Sequence, residues 1–319
     1  MWRWTRRALV TLIGLTFLAM LAGATYEWFA ARRAMAATPP PGRLVDIGGY
    51  RLHLWCTGTG SPLVMLESGL GGSAAAWGSV QPDVARFTRV CSYDRAGLGY
   101  SDPGPSPRTA GRIARELRDL LDRSGESEPL VLVGASSGGF SVRLFATAHP
   151  ERVAGLVLVD ASHEDQGHEV PSIAFLAPLL APIGAFRLSG VSFEIDPQSF
   201  APAVRGYVHA TRFRAAGFRA AAGELRSIET TASEVRAGRR PLTQPLVVLT
   251  GGRGADARWR ALQRDLAAVS SRGCQIVAEE SGHRVAFDAP RIVVDAIRAV
   301  VAAARQGSAG PVCGGVRTP

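Results

Sequence analysis

The chain has 319 residues, of which 46% are hydrophobic and 20% are charged, a composition that is typical of a globular protein and excludes a mostly disordered one. Its net charge is +9, but the 36 basic residues form no dense run or stripe, so we expect no nucleic-acid partner. Four cysteines in a chain of this length are too few for a disulfide scaffold.

The first predicted element is a hydrophobic helix near the N-terminus. Ala8 to Tyr26 is a run of 19 residues without a charge. A helix of that length spans about 28 Å, close to the hydrocarbon thickness of a bilayer. The small residues Ala22-Gly23-Ala24 would also suit the cleavage site of an export signal. The sequence therefore predicts that residues 1–36 are either a membrane anchor or an export signal that is removed.

The charges around this run predict its orientation. Three arginines precede the run and two follow it, namely Arg3, Arg6, Arg7, Arg32 and Arg33. The more positive side of a span stays in the cytoplasm, so the N-terminus is expected inside and the rest of the chain outside. Residues 37–41 contain three successive prolines and are predicted to form a short, stiff linker.

Beyond the linker, predicted strands and helices alternate. Runs rich in aliphatic and β-branched residues predict eight strands, at Arg43–Ile47, Tyr50–Cys56, Pro62–Glu67, Arg89–Tyr93, Leu130–Gly134, Val153–Asp160, Leu246–Thr250 and Gln275–Ala278. Helical patterns occur at Ala110–Ser124, Gly138–His149, Asp256–Ser270 and Pro290–Ala304. This alternation predicts an α/β fold with a mostly parallel sheet covered by helices on both faces.

Two segments interrupt or end that alternation. Residues 162–240 contain no clear strand and are predicted to form a helical insertion between a first core part (42–161) and a second (241–305). Within the insertion, Ile173–Leu188 is strongly apolar, which suits an acyl-binding roof, a membrane-facing surface or simple packing on the core. Residues 306–319 are rich in Gly, Ser and Pro and are expected to form a disordered tail.

The chemistry begins with Gly134-Ala135-Ser136-Ser137-Gly138, which follows a predicted strand and precedes a predicted helix. In this G-x-S-x-G turn, small residues let the strand and the helix approach, and the serine hydroxyl projects above the sheet. A serine nucleophile needs a base. Of the six histidines, His283 alone follows the last predicted strand, at the sheet edge where Ser136 should lie. His163 and His168 lack the i, i+4 spacing of paired metal ligands on a helix, and we predict no metal site.

With these residues in place, the chain resembles the α/β-hydrolase superfamily, in its serine-nucleophile branch with a helical cap (the AB hydrolase-1 type). The resemblance covers about residues 42–305 and rests on the turn at Ser136, the strand–helix order and the Gly282-His283 loop. The stretch SYDRAGLGYS at 92–101 also matches a loop common in the superfamily. The resemblance implies an eight-stranded, mostly parallel sheet with a helical cap at 162–240, and a structural turn held by Asp94 and Gly97.

The resemblance also implies an oxyanion hole and a triad. One main-chain donor would be the N–H of Ser137, and the other the N–H of Leu70 in the loop after the third strand. Many relatives have His-Gly where this chain has Ser68-Gly69. Superfamily members place the acid after one of two strands, which allows Asp160 or Asp256. We favour Asp160 because it ends an apolar strand, whereas Asp256 is suited to cap the following helix. Glu164 and Asp165 are weaker alternatives.

The activity implied is acyl transfer from a small-molecule substrate to water through an acyl-enzyme, without a cofactor. Esters, thioesters, lactones, amides and certain carbon–carbon bonds all remain open. Epoxide hydrolases and haloalkane dehalogenases of this fold use Asp at the position of Ser136. The alternative is a catalytically silent binding or scaffold protein at the membrane. If the chain is exported, Cys56 and Cys91 are candidates for a disulfide, because the fold makes their strands neighbours. No partner is evident for Cys274 or Cys313 unless the tail folds back.

Overall fold

The computed structural model describes residues 2–167, 169–192, 196–307, 310 and 312–316. One sheet contains all eight strands: β1 (Arg43–Asp46), β2 (Arg51–Thr57), β3 (Leu63–Glu67), β4 (Val90–Tyr93), β5 (Leu130–Ala135), β6 (Val153–Val159), β7 (Leu246–Gly251) and β8 (Gly273–Ala278). Their spatial order is β1-β2-β4-β3-β5-β6-β7-β8, and the pairs from β4 to β8 are parallel. The predicted eight-stranded, mostly parallel sheet is therefore confirmed.

Twelve α-helices occur in the described part of the chain: α1 (Trp2–Ala37), α2 (Gln81–Val84), α3 (Ala110–Ser124), α4 (Gly138–Ala148), α5 (Ile173–Leu180), α6 (Ala185–Ser189), α7 (Arg205–Thr211), α8 (Ala215–Arg226), α9 (Ile228–Gly238), α10 (Ala257–Ala268), α11 (Val285–Asp288) and α12 (Pro290–Gln306). The described residues between β6 and β7 contain helices and turns and no strand, as the sequence predicts.

The central strands are buried because helices cover both faces of the sheet. β3 and β7 are buried along their whole length, as expected for the continuous Val/Leu runs of a parallel sheet. The two faces form separate apolar clusters, one around Leu132 and Leu158 and the other around Val133 and Val157. The candidate site described below lies at the sheet edge where β5, β6 and β7 end, above this packed core.

Part of the N-terminal helix packs on the folded domain, which the prediction of an anchor or an export signal for residues 1–36 did not include. α1 is long and apolar enough to cross a bilayer, a property that an N-terminal signal sequence shares. From Gly23 onward, however, it packs against the helical insertion. Glu27 is buried there and forms a 2.7 Å ion pair with Arg187 of α6. The helix continues to Ala37, so the linker expected at 37–41 begins one residue later.

The described part of the C-terminal segment, residues 310 and 312–316, also differs from the disordered tail that we expected, whereas residues 308, 309, 311 and 317–319 lie outside the described residues. Cys313 forms a disulfide with Cys274 of β8, across a Cα–Cα distance of 6.1 Å. Val312 and Val316 pack into the apolar cluster beneath α12. The reason is that a covalent link and two buried side chains offset the entropy lost when this segment is ordered.

The second disulfide joins Cys56 and Cys91, which lie directly opposite each other on the antiparallel strands β2 and β4. The pair proposed from the fold is thus present in the structure. The two sulfurs and a carboxylate oxygen of Glu126 lie as close together as the ligands of a metal ion would. Because the sulfurs are bonded to each other, they are not the thiolates that a metal would bind.

Candidate active site

Ser136 lies in a sharp turn between β5 and α4. Its φ is +49°, a left-handed conformation that costs free energy for a residue with a side chain. The turn is close: a Cβ on Gly134 would lie 2.9 Å from the carbonyl oxygen of Gly138. The amide of Ser136 donates to the carbonyl of Val159 on the neighbouring strand, at 3.1 Å. The G-x-S-x-G spacing therefore produces the strained turn that exposes a serine hydroxyl above a sheet.

His283 connects Ser136 to a buried acid. Its Nε2 lies 3.0 Å from Ser136 Oγ, and its Nδ1 lies 2.6 Å from Asp160 Oδ2. The three residues are brought together because each follows a strand, β5, β6 or β8, that ends at the same edge of the sheet. Both contacts have hydrogen-bond geometry, in the order hydroxyl, imidazole, carboxylate.

Asp160 is held in place by contacts that the sequence did not reveal. Its φ is +41°. Its Oδ1 accepts hydrogen bonds from the amide of Gly251 and from the indole N–H of Trp259, each at 2.9 Å. The side chain is almost completely buried. These two donors occupy one carboxylate oxygen and leave the other for His283.

The other candidate acids have different partners. Asp256 caps α10, accepting a hydrogen bond from the amide of Trp259 at 2.7 Å. Glu164 is paired with Arg143 at 2.7 Å, and Asp165 with Arg236 at 2.6 Å. Of the four acids considered, Asp160 is the one that contacts His283.

Within the part of the chain that the structure describes, no histidine other than His283 forms a hydrogen bond with Ser136. His163 Nε2 lies 2.8 Å from Asp265, and His168 lies outside the described residues. His53 is buried against Asp94 at 2.9 Å. Asp94 also accepts hydrogen bonds from two loop amides, those of Ala74 and Tyr100. Its contacts are those of a residue that holds loops together.

The loop after β3 runs alongside the serine. Gly69 is so close that a Cβ there would lie 3.1 Å from Ser136 Cβ. In the described part of the chain, the amides of Leu70 and Ser137 have no hydrogen-bond acceptor. Unpaired main-chain donors beside a serine hydroxyl are the groups that could stabilise an oxyanion formed there.

A buried arginine, Arg95, binds the backbone of this loop, a role that the sequence did not indicate. Arg95 donates to the carbonyl oxygen of Ser68 at 2.6 Å and to that of Gly69 at 2.7 Å. The same guanidinium binds Glu67 Oε1 at 2.6 Å and Glu224 Oε1 at 2.7 Å. The residues bound lie up to 129 positions away in the chain, so no local pattern could have indicated this role. The only hint was that Arg95 lies inside the SYDRAGLGYS stretch.

Burial and the paired charges act together on the pKa values of this cluster. Burial disfavours the charged form of Arg95, but the carboxylates of Glu224 and Glu67 outweigh it and raise the pKa of the guanidinium. Burial likewise raises the pKa of Glu67, and Arg95 offsets that effect only partly. Glu224 comes from α8 in the helical insertion and also accepts a hydrogen bond from the amide of Gly71 at 3.3 Å. The insertion and the loop beside Ser136 are therefore joined through one ion cluster.

A cavity of about 370 Å³ lies beside Ser136 and His283. Much of its lining is apolar and comes from separate segments of the chain, namely Leu70, Trp77, Val159, Phe200, Val285 and Phe287. Arg284 is the only described lining residue with a permanently charged side chain. Such a site favours an uncharged, largely apolar group next to the serine.

Comparisons with known proteins agree with this architecture. A family model described as alpha/beta hydrolase fold matches residues 62–186. The uncharacterized protein YqjL of Bacillus subtilis (strain 168) is 26% identical over 256 residues, which cover 79% of this chain and 88% of that protein. The 2-hydroxymuconate semialdehyde hydrolase of Pseudomonas sp. (strain CF600) is 37% identical over 128 residues, which cover 39% of this chain and 45% of that enzyme.

Some matches cover only one part of the relative. The chain spans 18% and 22% of the length of two other curated relatives that it matches. Among solved structures, the enol-lactonase from Burkholderia xenovorans LB400 superposes with a TM-score of 0.64 at 18% identity. That superposition covers 82% of this chain and 100% of the other, and at this identity it establishes a common fold.

Proposed function

We propose that this chain, which belongs to the α/β-hydrolase superfamily, is a serine hydrolase that cleaves an ester or a related acyl bond. The observation that carries the proposal is the continuous hydrogen-bonded series Ser136–His283–Asp160 beside an apolar cavity. Superfamily membership alone supports a hydrolase, and the choice of serine chemistry depends on this geometry.

The nucleophile is Ser136, and His283 is its general base. His283 Nε2 accepts the hydroxyl proton as Oγ attacks the substrate carbonyl, and it later returns that proton to the leaving group. Asp160 holds the imidazole in the required tautomer and stabilises the imidazolium that forms. Water then repeats the cycle on the acyl-enzyme, with His283 again acting as the base.

The oxyanion hole consists of the amides of Leu70 and Ser137. Both are main-chain donors, so their action does not depend on a particular side chain. One such donor is worth roughly 3 kcal/mol of barrier in related chemistry. The absence of His at position 68 does not affect this role, and Arg95 supports the loop from the other side.

The cavity lining supports a neutral, apolar substrate group next to Ser136. Esters and lactones fit this requirement. The match to a semialdehyde hydrolase keeps carbon–carbon bond cleavage in the same reaction class, since it also proceeds by attack at a carbonyl carbon. We propose a small-molecule acyl substrate, with ester cleavage as the activity to test first.

The site lies outside the cytoplasm in this proposal, on a chain held by α1 or released after its removal. Two disulfides support this location, because such bonds persist in oxidising compartments and are rare in the cytosol. The arginines before the uncharged run support the same orientation.

The test is hydrolysis of p-nitrophenyl acetate and butyrate by the full chain in detergent, together with fluorophosphonate labelling. We expect Ser136→Ala and His283→Ala each to lower kcat by about 10⁴-fold or more, because nucleophile and base act as one unit. The label should be found on Ser136 and should be lost in Ser136→Ala.

Two matched variants control for the chemical changes themselves. Ser124→Ala and His149→Ala carry the same substitutions at positions away from the cavity and should keep wild-type rates. If folded Ser136→Ala retains more than a few per cent of the activity, the mechanism is wrong. If the wild type is neither labelled nor active on any acyl substrate, the silent binding protein is the better description.

A further inference from the structure

The outer surface of the helical insertion carries large apolar side chains in contact with solvent. They are Phe175 (57% exposed), Leu176 (50%), Leu179 (70%), Leu188 (71%) and Val191 (57%), and we call them the apolar face. Among the described residues outside α1, the other exposed large hydrophobic side chain is Leu70, which is less exposed, at 37%. A grouped set of this kind usually marks a binding surface.

These side chains are not needed to hold the insertion together. The opposite sides of the same helices make the packing contacts, with Ala174 and Ala177 buried against α8 and Phe186 stacked on Phe218 at 4.1 Å. Arg226 of α8 also donates to the carbonyl oxygen of Ala174. The helices that carry the apolar face are therefore packed on their other side, and the side chains of the face stay exposed to solvent.

The hydrophobic helix α1 meets the body of the protein beside this face. Residues 2–22 are exposed along their whole length. The first close contact is at Gly23, whose backbone lies against the carbonyl of Ile183, between Leu179 and Leu188 in the chain. One turn later, Glu27 pairs with Arg187, the residue before Leu188.

The position of this contact fixes how deep the insertion would lie in a membrane. The uncharged run of α1 continues to Tyr26, four residues into the segment that contacts the insertion. At about 1.5 Å per residue, the overlap is about 6 Å. If the run fills the hydrocarbon layer, the insertion must enter the bilayer surface by about this amount, which matches the depth of interfacial helices.

The residues after the run agree with that level. Trp28 is half exposed, and Arg32 lies over its ring at 4.1 Å from the centroid. Tryptophan and arginine are typical of the headgroup region. Both residues lie on α1 just beyond its contact with Ile183, which agrees with Ile183 lying near the boundary between the hydrocarbon and the headgroups.

We propose that the apolar face docks on the bilayer that α1 crosses, with its side chains in the interfacial layer of that membrane. The proposal rests on α1 acting as an uncleaved anchor, which is one part of the proposed function. The occupant is lipid because the face is continuous with a membrane-spanning helix of the same chain. It follows that the helical insertion, rather than the back of the sheet, faces the membrane.

The test places a tryptophan on the face of the full chain and measures its contact with lipid. Leu179→Trp and Leu188→Trp are reconstituted in phosphatidylcholine nanodiscs whose acyl chains are either normal or brominated, since bromine quenches only nearby indoles. Arg115→Trp, on the exposed side of α3, is the matched control. The emission of the added tryptophan is obtained by subtracting the wild-type signal.

We expect brominated lipid to quench the added emission at positions 179 and 188 and to leave that at position 115 unchanged. Equal quenching at all three positions, or none, overturns the docking. Hydrolysis of p-nitrophenyl acetate by each nanodisc-bound variant reports separately on the hydrolase. If the chain washes off the nanodiscs while hydrolysis persists, anchoring and docking both fail and the serine hydrolase stands.

Discussion

Asp160 combines a strained backbone with hydrogen bonds that keep its side chain in place. A φ of +41° is uncommon for aspartate, and Asp160 adopts it directly after β6, near Ser136, whose φ is also positive. Strain of this kind persists only where surrounding contacts outweigh it, and here Gly251 and Trp259 supply them. Two strained residues that directly follow neighbouring strands are consistent with the proposed triad.

The acid can be identified by a pair of asparagine substitutions. We expect Asp160→Asn to lower kcat on the order of 10⁴-fold, because an amide favours the wrong tautomer of His283. Asp256→Asn should stay near wild type, since asparagine also caps a helix well. Both are measured by steady-state hydrolysis of the same ester. The reverse ranking of the two variants would show that Asp160 is not the triad acid.

Glu224 is expected to act on catalysis from a distance, as a positioning residue. It binds Arg95, which holds the carbonyls of Ser68 and Gly69 next to the proposed donor Leu70. Glu224→Gln keeps the shape but removes a charge from the cluster. We predict that kcat falls about 10- to 100-fold while KM changes little, a smaller loss than removal of one oxyanion donor.

A purely structural role for Glu224 would give a different result. If the residue positions the loop, the inhibition constant of an alkyl boronate should rise in parallel with the loss of kcat, because the tetrahedral boronate occupies the oxyanion hole. A lower melting temperature with unchanged kcat and unchanged boronate affinity would contradict the prediction. Glu229→Gln, on the next helix of the insertion, is the control for loss of an acid.

At the scale of elements, a buried ion pair joins the helix after Ser136 to the loop after β6. Glu164 binds Arg143 of α4 at 2.7 Å and Arg239 after α9 at 3.2 Å. Burial opposes the ionisation of Glu164, but the attraction of Arg143 outweighs it and lowers the pKa of this carboxyl from 4.5 to about 2. The cluster therefore connects α4, β6 and the end of the helical insertion.

This pKa shift predicts a specific dependence of stability on pH. Because the folded-state pKa is the lower one, the stabilisation is complete above about pH 4.5 and is lost as the pH falls through about 2. At pH 7 we expect Glu164→Gln to lose about 3 to 5 kcal/mol of unfolding free energy, since Arg143 stays buried without its partner.

The measurement is thermal unfolding of wild type and variant at pH 7 and near pH 2. The difference in melting temperature between wild type and Glu164→Gln should be large at pH 7 and smaller near pH 2. Asp165→Asn is the control because its pair with Arg236 is exposed on both sides and should contribute less than about 1 kcal/mol. A gap that stays constant across this range would mean that the charge of Glu164 contributes nothing.

At the scale of the whole molecule, we expect the membrane topology to follow from the arginines that precede the uncharged run of α1. A C-terminal alkaline phosphatase fusion should be active in cells, and replacement of Arg3, Arg6 and Arg7 by alanine should lower that activity, because Arg32 and Arg33 then dominate. A reporter enzyme that is active only in the cytoplasm, fused at the same C-terminal position, gives the complementary measurement. High activity of the cytoplasmic reporter in wild type would exclude an exported domain.

The order of elements was predictable from the sequence alone. Buried parallel strands need long aliphatic runs, and a strained turn that carries a serine needs small neighbours, so both leave local patterns such as Leu130–Gly138. The same holds for the hydrophobic run before Glu27 and for the placement of His283 after the last strand. These features depend on residues close together in the chain, where periodicity and turn chemistry act.

Only the tertiary structure shows that Asp160, and not Asp256, contacts His283, because both residues follow strands that end at the same edge of the sheet. It also shows the hydrogen bonds of Arg95 to the loop beside Ser136, the packing of α1 on the insertion and the disulfide that attaches the tail through Cys313. Each of these contacts joins side chains far apart in sequence. Their energy comes from burial and paired charge, which no local pattern of residues encodes.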